Sequence, residues 1–171
     1  MLYFIIGGAA SGKSEFAEQL VCNLPGRRLY IATMTANDRE SLKRIEKHRE
    51  RRSALDFETL ECGHNLAGAA IPRGTNALLE DLSNLLANEM FGLSGGGIEA
   101  VRIGLCHLTE NCENLTVVSN DLFSDGTSYS DRIPEYLNNL AALNRELAEA
   151  SDFTAEVVCG LPDLWKGKLP C

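Results

Sequence analysis

The sequence predicts an α/β fold: one domain over residues 1–171, built on a mostly parallel sheet with helices on both faces. Three observations carry that prediction. Short apolar runs of strand length alternate along the chain with stretches of helical periodicity. The first run, Leu2 to Ile6, is apolar at every position, as a central strand buried on both faces must be. It then enters a glycine-rich turn followed at once by a helix, the opening of a strand–helix–strand unit. A chain of 171 residues suits one buried core and is short for two.

The elements follow in order. Lys13 to Leu24 places Phe16, Ala17, Leu20, Val21 and Leu24 at helical spacing, and Pro25-Gly26 closes it. RLYIAT (28–33) is the next strand. Asn37 or Asp38 is a candidate cap for a strongly charged helix from about residue 38 to 52. DFETLE (56–61) alternates like a short strand, and NALLED (76–81) ends an apolar run in two carboxylates. A helix from Leu82 to Met90 comes next, then GLSGGG (92–97), the clearest break in the chain and more a loop than a linker. Ile98, Val101, Leu105 and Leu108 share a helical face. LTVVS (115–119) is a strand, residues 133 to 150 a helix, and FTAEVVCG (153–160) the final strand.

Composition narrows the function classes. The formal net charge is -8, with 44% hydrophobic and 23% charged residues. A general nucleic-acid or membrane-surface binder needs a basic footprint, so neither partner is expected. An anionic nucleotide remains possible, because positive charge and backbone N–H groups can be concentrated locally. The apolar opening MLYFII is too short to cross a bilayer. Six cysteines, Cys22, Cys62, Cys106, Cys112, Cys159 and Cys171, show no C-x-x-C pair or zinc-ligand spacing, and no secretory signal precedes the first strand. They read as reduced thiols of a cytoplasmic protein, mostly small core hydrophobes.

GGAASGKS (7–14) carries the chemistry. Gly7, Gly12, Lys13 and Ser14 occupy the fixed positions of G-x-x-x-x-G-K-[ST], with Gly8, Ala9, Ala10 and Ser11 between them. Glycines let the backbone wrap a phosphate with its N–H groups turned inward, and the helix that follows presents its positive end. Lys13 is expected to reach the β- and γ-phosphates, and the Ser14 hydroxyl to ligate Mg²⁺. Glu80 and Asp81 leave a buried strand where a metal-shell carboxylate is expected. The other reading of Asp81 is a simple cap for the helix starting at Leu82.

GGAASGKS, YIAT (30–33), RIEKHRERR (44–52), ETLE (58–61) and LLEDLSNLLANEMF (78–91) occur in that order. Weaker pieces are VVSNDLF (117–123), LNRELAEASD (143–152) and VVCGLP (157–162). This succession resembles the bifunctional adenosylcobinamide kinase / adenosylcobinamide-phosphate guanylyltransferase family of cobalamin biosynthesis. The resemblance implies a RecA-like P-loop NTPase fold and two linked reactions. The first phosphorylates the aminopropanol hydroxyl of adenosylcobinamide with ATP or GTP. The second transfers GMP from GTP onto that phosphate, giving adenosylcobinamide-GDP. It also implies that GMP is carried on His48, that Glu61 joins the nucleotide-binding set, and that the chain forms a homo-oligomer, a trimer.

Arg44 and Arg52 lie one helical turn before and after His48, so guanidiniums on that face are placed to stabilise phosphoryl charge. A neutral imidazole can attack the α-phosphorus and split one displacement into two. His64 and His107 carry no such context and read as surface and helix-edge residues. The chain departs from the family at Ala10, where arginine is common, and after residue 120. There Asn120, Asp121 and Asn144 can be placed, but the usual arginine-rich helix has no counterpart beyond Arg132. Two alternatives stay open: a P-loop kinase of another small alcohol with no His–GMP intermediate, and a nucleotide-binding homologue without catalysis.

Overall fold

The computed structural model describes residues 1–34, 55–122 and 132–169. Strand β1 (Leu2–Gly7) leads through the glycine turn into helix α1 (Lys13–Cys22) and back to β2 (Arg27–Ala32). After β3 (Glu58–Glu61) a single 3₁₀ turn (Leu66–Gly68) precedes β4 (Thr75–Glu80). Helices α2 (Leu82–Phe91) and α3 (Gly97–Asn111) then lead to β5 (Asn114–Asn120). Helix α4 (Ile133–Ala150) is followed by β6 (Phe153–Val158) and β7 (Leu161–Lys166). The strands form one sheet in the order β3-β2-β4-β5-β1-β6-β7. Strands β1 to β6 run parallel, and β7 pairs antiparallel with β6.

Alternation along the central strands builds two cores. Leu2 and Phe4 of β1 face one side with Ile31, Leu79 and Val117, under Leu82, Leu85 and Leu86 of α2, Leu108 of α3 and Leu140 of α4. Tyr3 and Ile5 face the other side with Tyr30, Leu78, Val118 and Phe153, under Ala17, Leu20 and Val21 of α1. Full burial of one such side chain is worth about 1.5–3 kcal/mol, so continuous apolar strands are what a sheet covered on both faces requires. Among the described residues no helix is long and apolar enough to cross a membrane.

The expected elements within the described residues are present, with ends shifted by a residue or two. The charged helix expected from about 38 to 52 lies outside the described residues. Two expectations are corrected. FTAEVVCG does not end the sheet: its last residues turn the chain into β7. Cys159 and Gly160 sit at φ of 51° and 81°, the paired positive values of a tight type I′ hairpin. The seventh strand hides in the sequence because a cysteine occupies the turn position usually marked by Asn or Asp, and Pro162 suits only an edge strand. Nor do the five described cysteines belong to the buried core, although Cys62 and Cys112 pack against its edge. Cys106 and Cys159 are exposed, Cys22, Cys62 and Cys112 are only partly buried, and all five are free thiols. The interior is filled by larger aliphatic side chains instead.

Candidate active site

The six parallel strands end on one edge of the sheet, and the polar residues of interest collect there. Gly12, the residue ahead of α1, has φ 89°, and a Cβ on it would stand 3.0 Å from the Cα of Gly160. Only glycine meets both demands. The N–H of Gly160 donates to the carbonyl of Ser11 at 2.7 Å, so the β6–β7 turn supports the glycine loop from outside. Within the loop, Ser11 N donates to Gly8 O at 3.3 Å, while Ala9 and Ala10 are exposed, Ala10 at φ 56°.

Lys13 is buried, and its ammonium folds back to donate to Gly8 O at 3.0 Å. Burial pushes its pKa down, opposed by the nearby Asp81 and Glu80 carboxylates. One residue on, the Ser14 hydroxyl donates to Oε1 of Glu80, the last residue of β4. The other carboxylate oxygen, Oε2, is buried and accepts no hydrogen bond. Burial drives the Glu80 carboxyl up to about 7; the Ser14 hydrogen bond opposes the rise, and Asp81 adds to it. A buried, unpartnered carboxylate oxygen beside a hydroxyl is the donor set that a hard cation satisfies, so Ser14 and Glu80 fit Mg²⁺. Among the described residues no cluster of three or more His, Cys, Asp and Glu could hold a metal. Such an ion would take its remaining ligands from phosphate and water.

The adjacent carboxylate is used differently. Asp81 is the N-cap of α2: Oδ1 accepts from Asn84 N at 2.7 Å and from the Ser83 hydroxyl at 2.6 Å. Oδ2 accepts the side-chain amides of Asn84 and Asn120, each at 3.1 Å. Thr33, fully buried just past β2, clamps the Glu80–Asp81 joint. Its N–H donates to Glu80 O at 3.1 Å, its hydroxyl donates to Asp81 O at 2.8 Å, and the same oxygen accepts from Asp81 N at 2.7 Å.

The glycine loop, Lys13, Ser14, Glu80 and Asp81 are thus brought together. Glu61 is not: it is exposed at the end of β3, with β2 between its strand and β4. His48, Arg44 and Arg52 lie outside the described residues. His64 is exposed, and His107 Nε2 bonds Ala69 O at 2.9 Å. Thr33 and Asn120 escaped the sequence reading as site residues. Their signal was a polar residue closing an apolar strand, in YIAT and VVSN, at the edge where the glycine loop ends.

Comparison with known proteins gives one family. The model for "Cobinamide kinase / cobinamide phosphate guanyltransferase" matches residues 3–164. A bifunctional adenosylcobalamin biosynthesis protein of Pseudomonas aeruginosa is 32% identical over 170 residues, covering 96% of this chain and 96% of its own. The corresponding protein of Salmonella typhimurium is 29% identical over 181 residues, covering 94% and 97%. Among solved structures, the P4 protein of bacteriophage phi6 in complex with ADP aligns at a TM-score of 0.47 and 12% identity, covering 95% of this chain and 52% of that one.

Proposed function

The chain belongs to the cobinamide kinase / cobinamide phosphate guanyltransferase family, and on that premise we propose that one active site serves both reactions. In the first, the aminopropanol hydroxyl of adenosylcobinamide attacks the γ-phosphorus of ATP or GTP, the nucleoside diphosphate leaves, and the hydroxyl proton passes to solvent or a carboxylate. In the second, an imidazole nitrogen of His48 attacks the α-phosphorus of GTP and pyrophosphate leaves. The corrinoid phosphate then attacks the phosphorus of the His48–GMP bond, giving adenosylcobinamide-GDP and freeing the imidazole.

The observation that carries this reading is the Ser14–Glu80 pair beside the Lys13 loop, with one carboxylate oxygen buried and unpartnered. Phosphoryl transfer is mostly positioning and charge stabilisation, and this corner supplies both. The loop N–H groups and the α1 N-terminus receive the phosphates, and Lys13 exchanges its Gly8 carbonyl for phosphate oxygen. Ser14 and Glu80 would hold Mg²⁺, which would supply positive charge against the triphosphate. Asp81 and Thr33 keep Glu80 aimed. Arg44 and Arg52 flank His48 and stabilise charge during guanylyl transfer. Glu61 reaches nucleotide only from the far side of β2. The protein works in the cytoplasm as a homo-oligomer, a trimer, by likeness to its family.

The test is an assay with adenosylcobinamide and GTP that resolves the phosphate product from the GDP product. With α-³²P-GTP, label should stay on the denatured protein and be absent from His48→Ala. That variant should still make the phosphate product. Equal loss of both products in His48→Ala would remove His48 from the transfer step.

A further inference from the structure

A cavity of about 490 Å³ lies on the same edge of the sheet as the glycine loop, with His64 on one side and Asn88, Phe91 and residues 92–95 on the other. Hydrogen bonds fix its position. The Asn88 side-chain amide donates to the carbonyls of Thr33, at 2.8 Å, and Gly63, at 2.9 Å. The cavity is thereby tied to the exits of β2 and β3. Those exits lie one to two strand spacings from the end of β4, roughly 5–10 Å, while Phe91 stands at the opposite end of α2 from Leu82, about 14 Å along the helix.

Both walls hang on one buried side chain. Glu89 Oε1 accepts from Asn65 N at 2.6 Å, beside His64, and Oε2 accepts from Gly96 N at 2.8 Å, at the end of the opposite wall. Gly95 runs so close to the Glu89 carbonyl that a Cβ would collide with it. The cavity is therefore built into the fold. Its apolar side stands open: Phe91 is 44% exposed and Leu93 fully exposed. The Arg132 guanidinium lies 5.1 Å over the Phe91 ring, on whose other neighbour, Tyr136, the ring centroid is 6.0 Å away. Open apolar side chains beside a reaction centre mark a ligand surface.

We propose that this cavity docks the macrocycle of the corrinoid acceptor, with the ring face against Phe91 and Leu93 and the peripheral amides bonded to His64 and Ser94. The assignment rests on the function proposed above. A corrin is a broad disc, apolar on its faces and fringed with amides, so it needs a half-open apolar wall with hydrogen-bonding groups at the rim. Its reacting hydroxyl sits at the end of a flexible arm, so the ring must dock an arm's length from the phosphoryl group, and a cavity walled by the far end of α2 leaves room for that arm. A guanine base fits less well. Reading its N1–H and amino group calls for an available carboxylate, and that of Glu89 is already bonded to two backbone N–H groups.

Leu93→Asp and His64→Ala in the full-length protein test this, and both positions are exposed, so neither should disturb folding. Each should raise KM for adenosylcobinamide at least fivefold and weaken dicyanocobinamide binding, followed by visible absorbance, in parallel. KM for the nucleotide should stay within twofold. Corrinoid constants within twofold of the parent in both variants would overturn the subsite while leaving the proposed function standing. A rise in KM for GTP alone would reassign the cavity to the base. A parent protein that neither binds nor phosphorylates a corrinoid would overturn the proposed function, and the subsite with it.

Discussion

Glu80→Gln should make the metal-free protein more stable while abolishing kinase activity. The Glu80 carboxyl is pushed from 4.5 up to about 7 in the fold, with burial as the first cause. An acid whose pKa is raised by folding opposes folding wherever it must ionise. The penalty is absent below about pH 4, grows as pH rises from 4.5 toward 7, and levels off above that. A rise of this size corresponds to about 3 kcal/mol at pH 8 and less than about 1 kcal/mol at pH 5. Glutamine keeps an oxygen for the Ser14 hydroxyl and carries no charge, so it escapes most of that cost. For a chain of this length, 1 kcal/mol moves Tm by about 2–4 °C. In chelator, Glu80→Gln should therefore melt up to about 6–12 °C above the parent at pH 8 and within a few degrees of it at pH 5. Added Mg²⁺ with nucleotide should stabilise the parent far more than the variant. Differential scanning fluorimetry at the two pH values reads all of this. A variant that is no more stable at pH 8, or is shifted equally at both, would show that the carboxylate is not held in the desolvated, underpartnered state described here.

Three other variants follow from the same corner. Lys13→Ala removes the loop's cation and should weaken ATP and GTP binding in calorimetry, with a kinase rate lowered by roughly 10²–10³, the scale of losing one preorganised charge donor. Thr33→Val keeps the volume but leaves the Asp81 N–H without its acceptor, which costs about 1–3 kcal/mol. It should lower Tm and reduce kcat with little change in KM for ATP; an unchanged kcat would deny Thr33 its positioning role. Asp81→Asn keeps a good helix cap through Oδ1 and gives up the two amide contacts at Oδ2. Its Tm should fall by only a few degrees and kinase activity should survive, measured by ADP release with adenosylcobinamide; loss of activity in a folded variant would make Asp81 a metal ligand after all.

Much of the fold was legible because the strongest signals are local. Leu2 to Ile6 reads as a strand buried on both faces, and the structure places its alternate residues in two different cores. The periodicity of residues 133–150 marks α4 at both ends. What escaped was β7, whose sequence LPDLWK alternates poorly because most of it faces solvent. Its existence depends on a backbone turn at Cys159-Gly160 that no side-chain pattern announces. The cysteines misled for a related reason: residue type gives an average burial, and only packing decides which small side chains reach the interior.

Part of the phosphate corner was legible: the glycine loop, Lys13, Ser14 and the acidic pair come together, whereas Thr33 was missed and Glu61 stands apart on β3. The spacing of GGAASGKS fixes Lys13 and Ser14 on the first turn of α1, and the apolar run NALLED fixes an acidic exit from β4. Sequence cannot divide Glu80 from Asp81, since either type ligates a cation and either is tolerated at a strand end. The division comes from where β4 stops. Glu80 is its last residue and accepts the Ser14 hydroxyl from the first turn of α1, while Asp81 already has the extended conformation of a helix cap. Four donors then converge on Asp81, and one oxygen of Glu80 receives none. A carboxylate bonded to four protein donors has little reason to exchange them for a metal. One that is buried, raised in pKa and half unpartnered gains from a cation what the fold withholds. Thr33 is the residue that enforces the difference, because its three hydrogen bonds fix the backbone between the two side chains. It also follows directly on β2, so a single buried hydroxyl ties the joint between the two carboxylates to the neighbouring strand.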